Sequence, residues 1–181
     1  MNVSTLLEHI NKLTPLDHAF DDDSVGLVIG DETSKVKNLI VGHELEESLL
    51  DYCKNNSVDT VVTYHPPPYK RIIDENEVET YIPDPITESF INSSLNVISI
   101  HTAQDVCKDG NADTLVELFG MSDVSIFANT IDNFGAGRKG TINKLSPADF
   151  KKDVENKLNT KIIRTNEYFN DIKEIQNIAV L

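Results

Sequence analysis

The run Thr60-Val61-Val62-Thr63 is β-branched throughout and ends abruptly at Tyr64-His65-Pro66-Pro67-Pro68. Branching at Cβ favours extended backbone, and a short run without polar alternation predicts a buried strand. Consecutive prolines cannot continue a ladder or enter a helix interior, so that strand must stop where His65 stands. Apolar runs at residues 25–30, 39–41, 96–100 and 124–127 predict further strands. Between them the apolar residues recur at helical spacing. Leu6, Ile10 and Leu13 mark a first helix, which Thr5 and Glu8 can open as a capping box and Pro15 closes. Leu49, Leu50 and Cys53 mark a second over 46–55. Asp84-Pro85 starts a third, with Asp84 as N-cap and Pro85 in the first turn. Residues 112–119 form another, with Gly120 placed to cap it.

Strands alternating with helices predict an α/β fold: a mainly parallel sheet lobe with flanking helices. Residues 1–128 form that first lobe. After Asn129 the texture changes. Residues 133–140 are a glycine-rich loop, Thr141-Ile142 begins a strand, and Ser146-Pro147 starts a helix carrying Phe150, Val154 and Leu158. Strands at 162–164 and 175–181 follow. Residues 129–181 read as a partial second α/β lobe, because the chain stops inside an apolar strand.

Charge narrows the function. The 181 residues carry 30 acidic and 16 basic side chains, for a net charge of −14. Binding to phosphate backbones depends on Lys and Arg displacing counterions, and the basic residues are scattered, with no stripe. Nucleic acid and anionic membrane are therefore disfavoured as partners. Cys53 and Cys107 have no CxxC spacing, so neither a disulfide scaffold nor a zinc knuckle is indicated. The amino terminus lacks a basic region and a long apolar run, so it is not a signal peptide. No stretch approaches the ~20 apolar residues needed to span a bilayer. The expected location is the cytoplasm.

In open α/β sheets, ligands gather beyond the carboxyl ends of the strands. Three such ends carry metal-competent residues: His43-Glu44, Tyr64-His65, and His101 with Asp105 one loop later. Imidazole and carboxylate together suit zinc, iron, manganese or nickel. A single histidine after a strand is more often a hydrogen-bonded surface or core residue than a ligand; three strand ends together change that balance. His9 and His18 lie outside the pattern and read as solvated. Gly135-Ala136-Gly137-Arg138-Lys139-Gly140 matches GxGxxG literally, but a dinucleotide site needs a strand before the motif and a helix after it. Here Ile142 continues a strand instead, so the segment reads as a glycine turn between lobes.

Four stretches, in order, resemble the Ngg-interacting-factor-three-like family, also called dinuclear-metal-centre or GTP cyclohydrolase I type 2-like proteins. Residues 23–30, Asp-Ser-Val-Gly-Leu-Val-Ile-Gly, resemble its D-N-x-G-L-x-x-G. Tyr64-His65-Pro66 resembles H-H-P. His101-Thr102-Ala103-Gln104-Asp105, followed by Gly110-Asn111, resembles H-T-N-L-D and G-x-N. Gly135 to Gly140 resembles G-x-G-R-x-G. The resemblance implies two α/β lobes, a hexameric ring of identical chains, and two divalent metals of a hydrolase-type centre.

Carried over residue by residue, His65 and Asp105 match metal ligands of the family. Tyr64 stands where the first histidine of H-H-P belongs, and a neutral phenol with pKa near ~10 is a poor ligand. Glu44 takes the place of the family's Asp after the second strand, with His43 beside it as a substitute for the lost histidine. Glu44, His43, Tyr64 and His101 are the expected lining of the site. The family also draws a His and a Glu from a late segment, and the sequence ends at Leu181 before any counterpart. Two function classes follow. One is a metal-dependent hydrolase with a depleted site holding zinc, manganese or iron, with a partner chain as one source of the missing ligands. The other is a non-catalytic relative that binds or assembles. A nucleotide-binding module using the glycine segment is a third, weaker reading.

Overall fold

A computed structural model describes residues 1–131, 133–162 and 164–181 of the chain. It divides into two compact units, Met1–Gln104 and Asp105–Leu181.

The first unit opens with helix α1 (Val3–Leu13). Its N-cap is Asn2, whose Oδ1 accepts from the Thr5 amide at 2.9 Å. The capping box expected from Thr5 and Glu8 therefore gives way to a residue three positions earlier, with the amide of Thr5 as donor. Strands β1 (Gly26–Ile29), β2 (Leu39–Gly42) and β3 (Thr60–Thr63) follow, with α2 (Glu47–Asn55) between the last two. Next come a hairpin, β4 (Tyr69–Ile73) and β5 (Glu79–Pro83), then α3 (Pro85–Asn92), β6 (Asn96–Ser99) and the first four residues of α4 (His101–Val106). Asp84 caps α3 by accepting from the Ile86 amide at 3.2 Å, as the Asp-Pro pair predicts.

The sheet order is β1-β6-β3-β2. β2, β3 and β6 are parallel, and β1 joins β6 antiparallel at one edge. Alternate residues of a strand face opposite sides, and here both sides are covered. Val61 and Val97 pack with Leu45, Leu49, Leu50, Cys53, Phe90 and Leu95 of the α2 and α3 side. Val62 and Ile98 pack with Val3, Leu6, Leu7 and Ile10 of α1. That double burial is why Thr60–Thr63 shows no polar alternation.

The second unit contains α5 (Asn111–Phe119), β7 (Ser122–Asn129), β8 (Gly135–Leu145), α6 (Pro147–Lys157) and β9 (Ile175–Val180). Gly120 ends α5 in the left-handed conformation, φ 62°. The strands form an antiparallel sheet in the order β7-β8-β9. The glycine segment is thus no loop or turn but the first half of β8. A Cβ on Gly135 would sit 2.6 Å from the Phe127 carbonyl oxygen, one on Gly140 2.6 Å from that of Ser122, and one on Gly137 would clash with the Phe127 ring. Close approach by β7, not a phosphate, accounts for these glycines, and no helix follows them as a dinucleotide site requires. Arg138, 4% exposed, donates to Asp113 Oδ1 on α5 at 2.6 Å and to the Gly135 carbonyl at 2.6 Å. The strand expected at 162–164 falls on Ile163, outside the described residues.

No helix among the described residues is long and apolar enough to cross a membrane. Phe90 is completely buried at the centre of the α2–α3 side. Replacing it with Ala removes a ring from a packed core, so Phe90→Ala should lower unfolding free energy by about 3–5 kcal/mol. Ile91→Ala, at a 43% exposed position of the same helix, should cost far less. Urea denaturation of both variants checks this.

Candidate metal centre

The parallel strands end level with one another. Gly42 pairs with Thr63, and Thr63 with Ser99. Backbone hydrogen bonding continues one residue beyond. The His65 amide donates to the His43 carbonyl at 2.9 Å, and the His101 amide to the Tyr64 carbonyl at 2.9 Å. A level ladder therefore delivers His43, Tyr64, His65 and His101 to one place. Their rings form a cluster. His65 lies 4.7 Å from His43, 4.8 Å from Tyr64 and 5.4 Å from His101, centroid to centroid. His43 and Tyr64 stack at 5.5 Å with planes 20° apart.

The turn that carries His65 is pinned on both sides. Thr63 Oγ1 donates to the His65 carbonyl at 2.7 Å, and Ser99 Oγ to that of Tyr64 at 3.3 Å. Two residues past Pro66, the Pro68 carbonyl accepts from Thr87 Oγ1 at 2.7 Å and from the Asp84 amide at 3.1 Å. The proline run, unable to donate, is held through the Pro68 carbonyl.

His43, Glu44 and His65 each offer a donor atom, and all three atoms lie within 4.8 Å of one another. Two donors on one zinc ion at ~2.1 Å each stand no more than ~4.2 Å apart. His43 and Glu44 are exposed, so a bound ion would draw their side chains inward by rotation to close that difference. Two imidazoles and a carboxylate suit zinc, iron or manganese, so this donor set fits a divalent cation.

His101 begins α4, not a loop, and its ring is fixed from below. Its Nδ1 lies 2.7 Å from Asp23 Oδ1. The Thr102 amide donates to Asp23 Oδ2 at 3.0 Å, and the Thr102 hydroxyl donates to the same oxygen. An ionised carboxylate can only accept, so Nδ1 is the donor here, a carboxylate–histidine arrangement typical of oriented site histidines. Asp23 is 8% exposed. Burial pushes its carboxyl up, but the hydrogen bonds from Thr102 and His101 outweigh that and hold it below the ordinary carboxylate range. Asp105 belongs to the second unit, where Asn111 Nδ2 donates to its Oδ1 at 2.7 Å. Of the two histidines read as solvated, His9 is exposed, while His18 is half-buried.

A sheet that gathers imidazole and carboxylate groups at its parallel strand ends is an arrangement by which α/β proteins bind ligands. The chain belongs to the Duf34/NIF3 (NGG1p interacting factor 3) family, whose model matches residues 1–181. A GTP cyclohydrolase 1 type 2 homolog of Clostridium perfringens is 25% identical over 185 residues, covering 100% of this chain and 69% of the relative. A Bacillus subtilis protein of the same name is 26% identical over 131 residues, 72% of this chain. The chain spans 34% of that relative's length and 52% of a Clostridium acetobutylicum relative's. The crystal structure of Staphylococcus aureus protein SA1388 shares the fold with a TM-score of 0.77 at 20% identity, covering 99% of this chain and 71% of that one.

Asp23 gives the site a predictable pH response. Its folded pKa is depressed, so its contribution to stability is complete above the unfolded value of about 3.9 and is lost as pH falls through the folded value. Asp23→Asn should therefore be less stable than the parent by a constant amount above about pH 5. The gap should close as pH falls below about 4. Urea midpoints measured from pH 3 to 7 check the sign.

Proposed function

We propose that this chain binds one divalent cation through His43, Glu44 and His65 and uses it in a hydrolytic reaction. The observation that carries this is the convergence of those three donor atoms within 4.8 Å at adjoining strand ends. Three protein donors leave a coordination position open, the pattern of catalytic rather than structural zinc. Zinc, manganese or iron held there would supply Lewis acidity and acidify a bound water. The chain's own residues do the rest. Tyr64 and His65 wall the site, and the Asp23 carboxylate holds the His101 ring so that Nε2 can take up or return a proton. The name GTP cyclohydrolase 1 type 2 homolog, carried by the relatives, agrees with a hydrolytic class. Asp105 is proposed as a further ligand on the strength of the H-T-x-x-D sequence match alone. Self-association into rings stands on the same resemblance, and light scattering reads it directly.

A second reading is a non-catalytic relative that binds or assembles. Tyr64 favours it, because a phenol stands where the motif has an imidazole.

Plasma mass spectrometry on protein loaded with zinc, manganese or iron and then desalted separates the outcomes. We expect close to one metal per chain, and at least ~10-fold weaker binding in His43→Ala and His65→Ala, the scale of a lost charge-assisted contact or more. Metal retained undiminished in both variants sinks the ligand assignment. Stoichiometric metal without turnover of p-nitrophenyl phosphate or other generic esters selects the binding reading.

A further inference from the structure

The first unit has a cavity of about 560 Å³ lined by Asp22, Ser24, Val28, Pro67, Tyr69 and Tyr81. That volume suits a small organic ligand. Its walls are continuous in sequence with the centre: Asp22 and Ser24 flank Asp23, and Pro67 lies two residues past His65.

The aromatic wall comes from the β4–β5 hairpin. Tyr69 pairs with Pro83 and Arg71 with Tyr81, so Tyr69 and Tyr81 are diagonal neighbours on one face. They are 47% and 60% exposed, yet Tyr81 is tied down. Its hydroxyl donates to Glu79, which also takes Arg71 Nε at 2.5 Å and Nη2 at 2.9 Å. The Glu79 carboxylate pushes the Tyr81 phenol up, keeping it a neutral donor. The hairpin thus presents two tyrosine faces, and the polar end of Tyr81 is already engaged.

The charge of the cavity is one-sided. Arg71 is committed to Glu79. Among the described residues no cation pairs with Asp22, which lines the cavity. A carboxylate there repels anions and attracts N–H donors and cations. Val28 and Pro67 supply apolar contact.

We infer that this cavity binds a planar aromatic ring, neutral or cationic and bearing N–H donors, stacked on Tyr69 and Tyr81 with its N–H groups on Asp22. Its role as the substrate pocket rests on the metal reading above, but binding itself does not. Nucleoside phosphates are selected against by the same carboxylate.

Benzamidine and benzoate form a matched pair of probes, alike in shape and opposite in charge at neutral pH. Calorimetric titration of each into the full chain, zinc-loaded and again with EDTA, tests the pocket. Benzamidine should bind with or without metal, and benzoate at least ~10-fold more weakly. Tyr69→Ala and Tyr81→Ala should each weaken benzamidine by at least ~5-fold, the low end of the effect of losing a stacked ring. Asp22→Asn should erase the preference for benzamidine. These are surface substitutions, and unchanged melting temperatures confirm folded variants. Failure of benzamidine to bind the folded parent at millimolar concentration, equal affinity for benzoate, or indifference to all three substitutions overturns the inference. Metal content, measured separately, decides the metal reading, so the two fail independently.

Discussion

The register of three parallel strands governs this molecule. β2, β3 and β6 end in step, so the residues that follow them emerge side by side. The ladder's hydrogen bonds carry on to the amides of His65 and His101. A slip of one residue in any strand would reverse its faces, and in the inner strands β3 and β6 register is enforced because the two faces meet different helical layers. Val61 and Val97 must meet one helical layer while Val62 and Ile98 meet the other. Core packing thus fixes the placement of polar groups that make no core contact themselves.

Around that frame, secondary polar contacts remove the remaining freedom. Threonine and serine hydroxyls bind the carbonyls at Tyr64 and His65, and the far end of the proline run is held through Pro68. Asp23 does the same for the His101 ring. In the second unit, Arg138 plays the analogous part for the helix α5. A buried pair of this kind is weak evidence of stability but costly to break on one side. It accounts for an arginine among glycines without recourse to a bound phosphate.

The α/β class, the parallel core and the strand-end histidines were readable because burial and periodicity write them directly into residue type. The hairpin was not. β4 is exposed along its whole length and β5 nearly so, leaving no core face to impose alternation. Its one local signal is Asp74, whose carboxylate accepts from the amides of Asn76 and Val78 in the manner of an Asx turn. The glycines of β8 resembled a loop because their cause is a neighbouring strand, invisible to local pattern. Asp23 sat in plain view within a motif, but its partner lies 78 residues away, and no spacing rule joins them.

The way His43, Tyr64 and His65 are anchored has an evolutionary consequence. They hang from main-chain hydrogen bonds, which are blind to side-chain identity. Histidine can become tyrosine at one strand terminus, and a donor can arise on the adjoining one, while the scaffold beneath is undisturbed. Such a framework lets coordination chemistry drift among neighbouring positions, so descent with a constant fold need not mean descent with a constant ligand set.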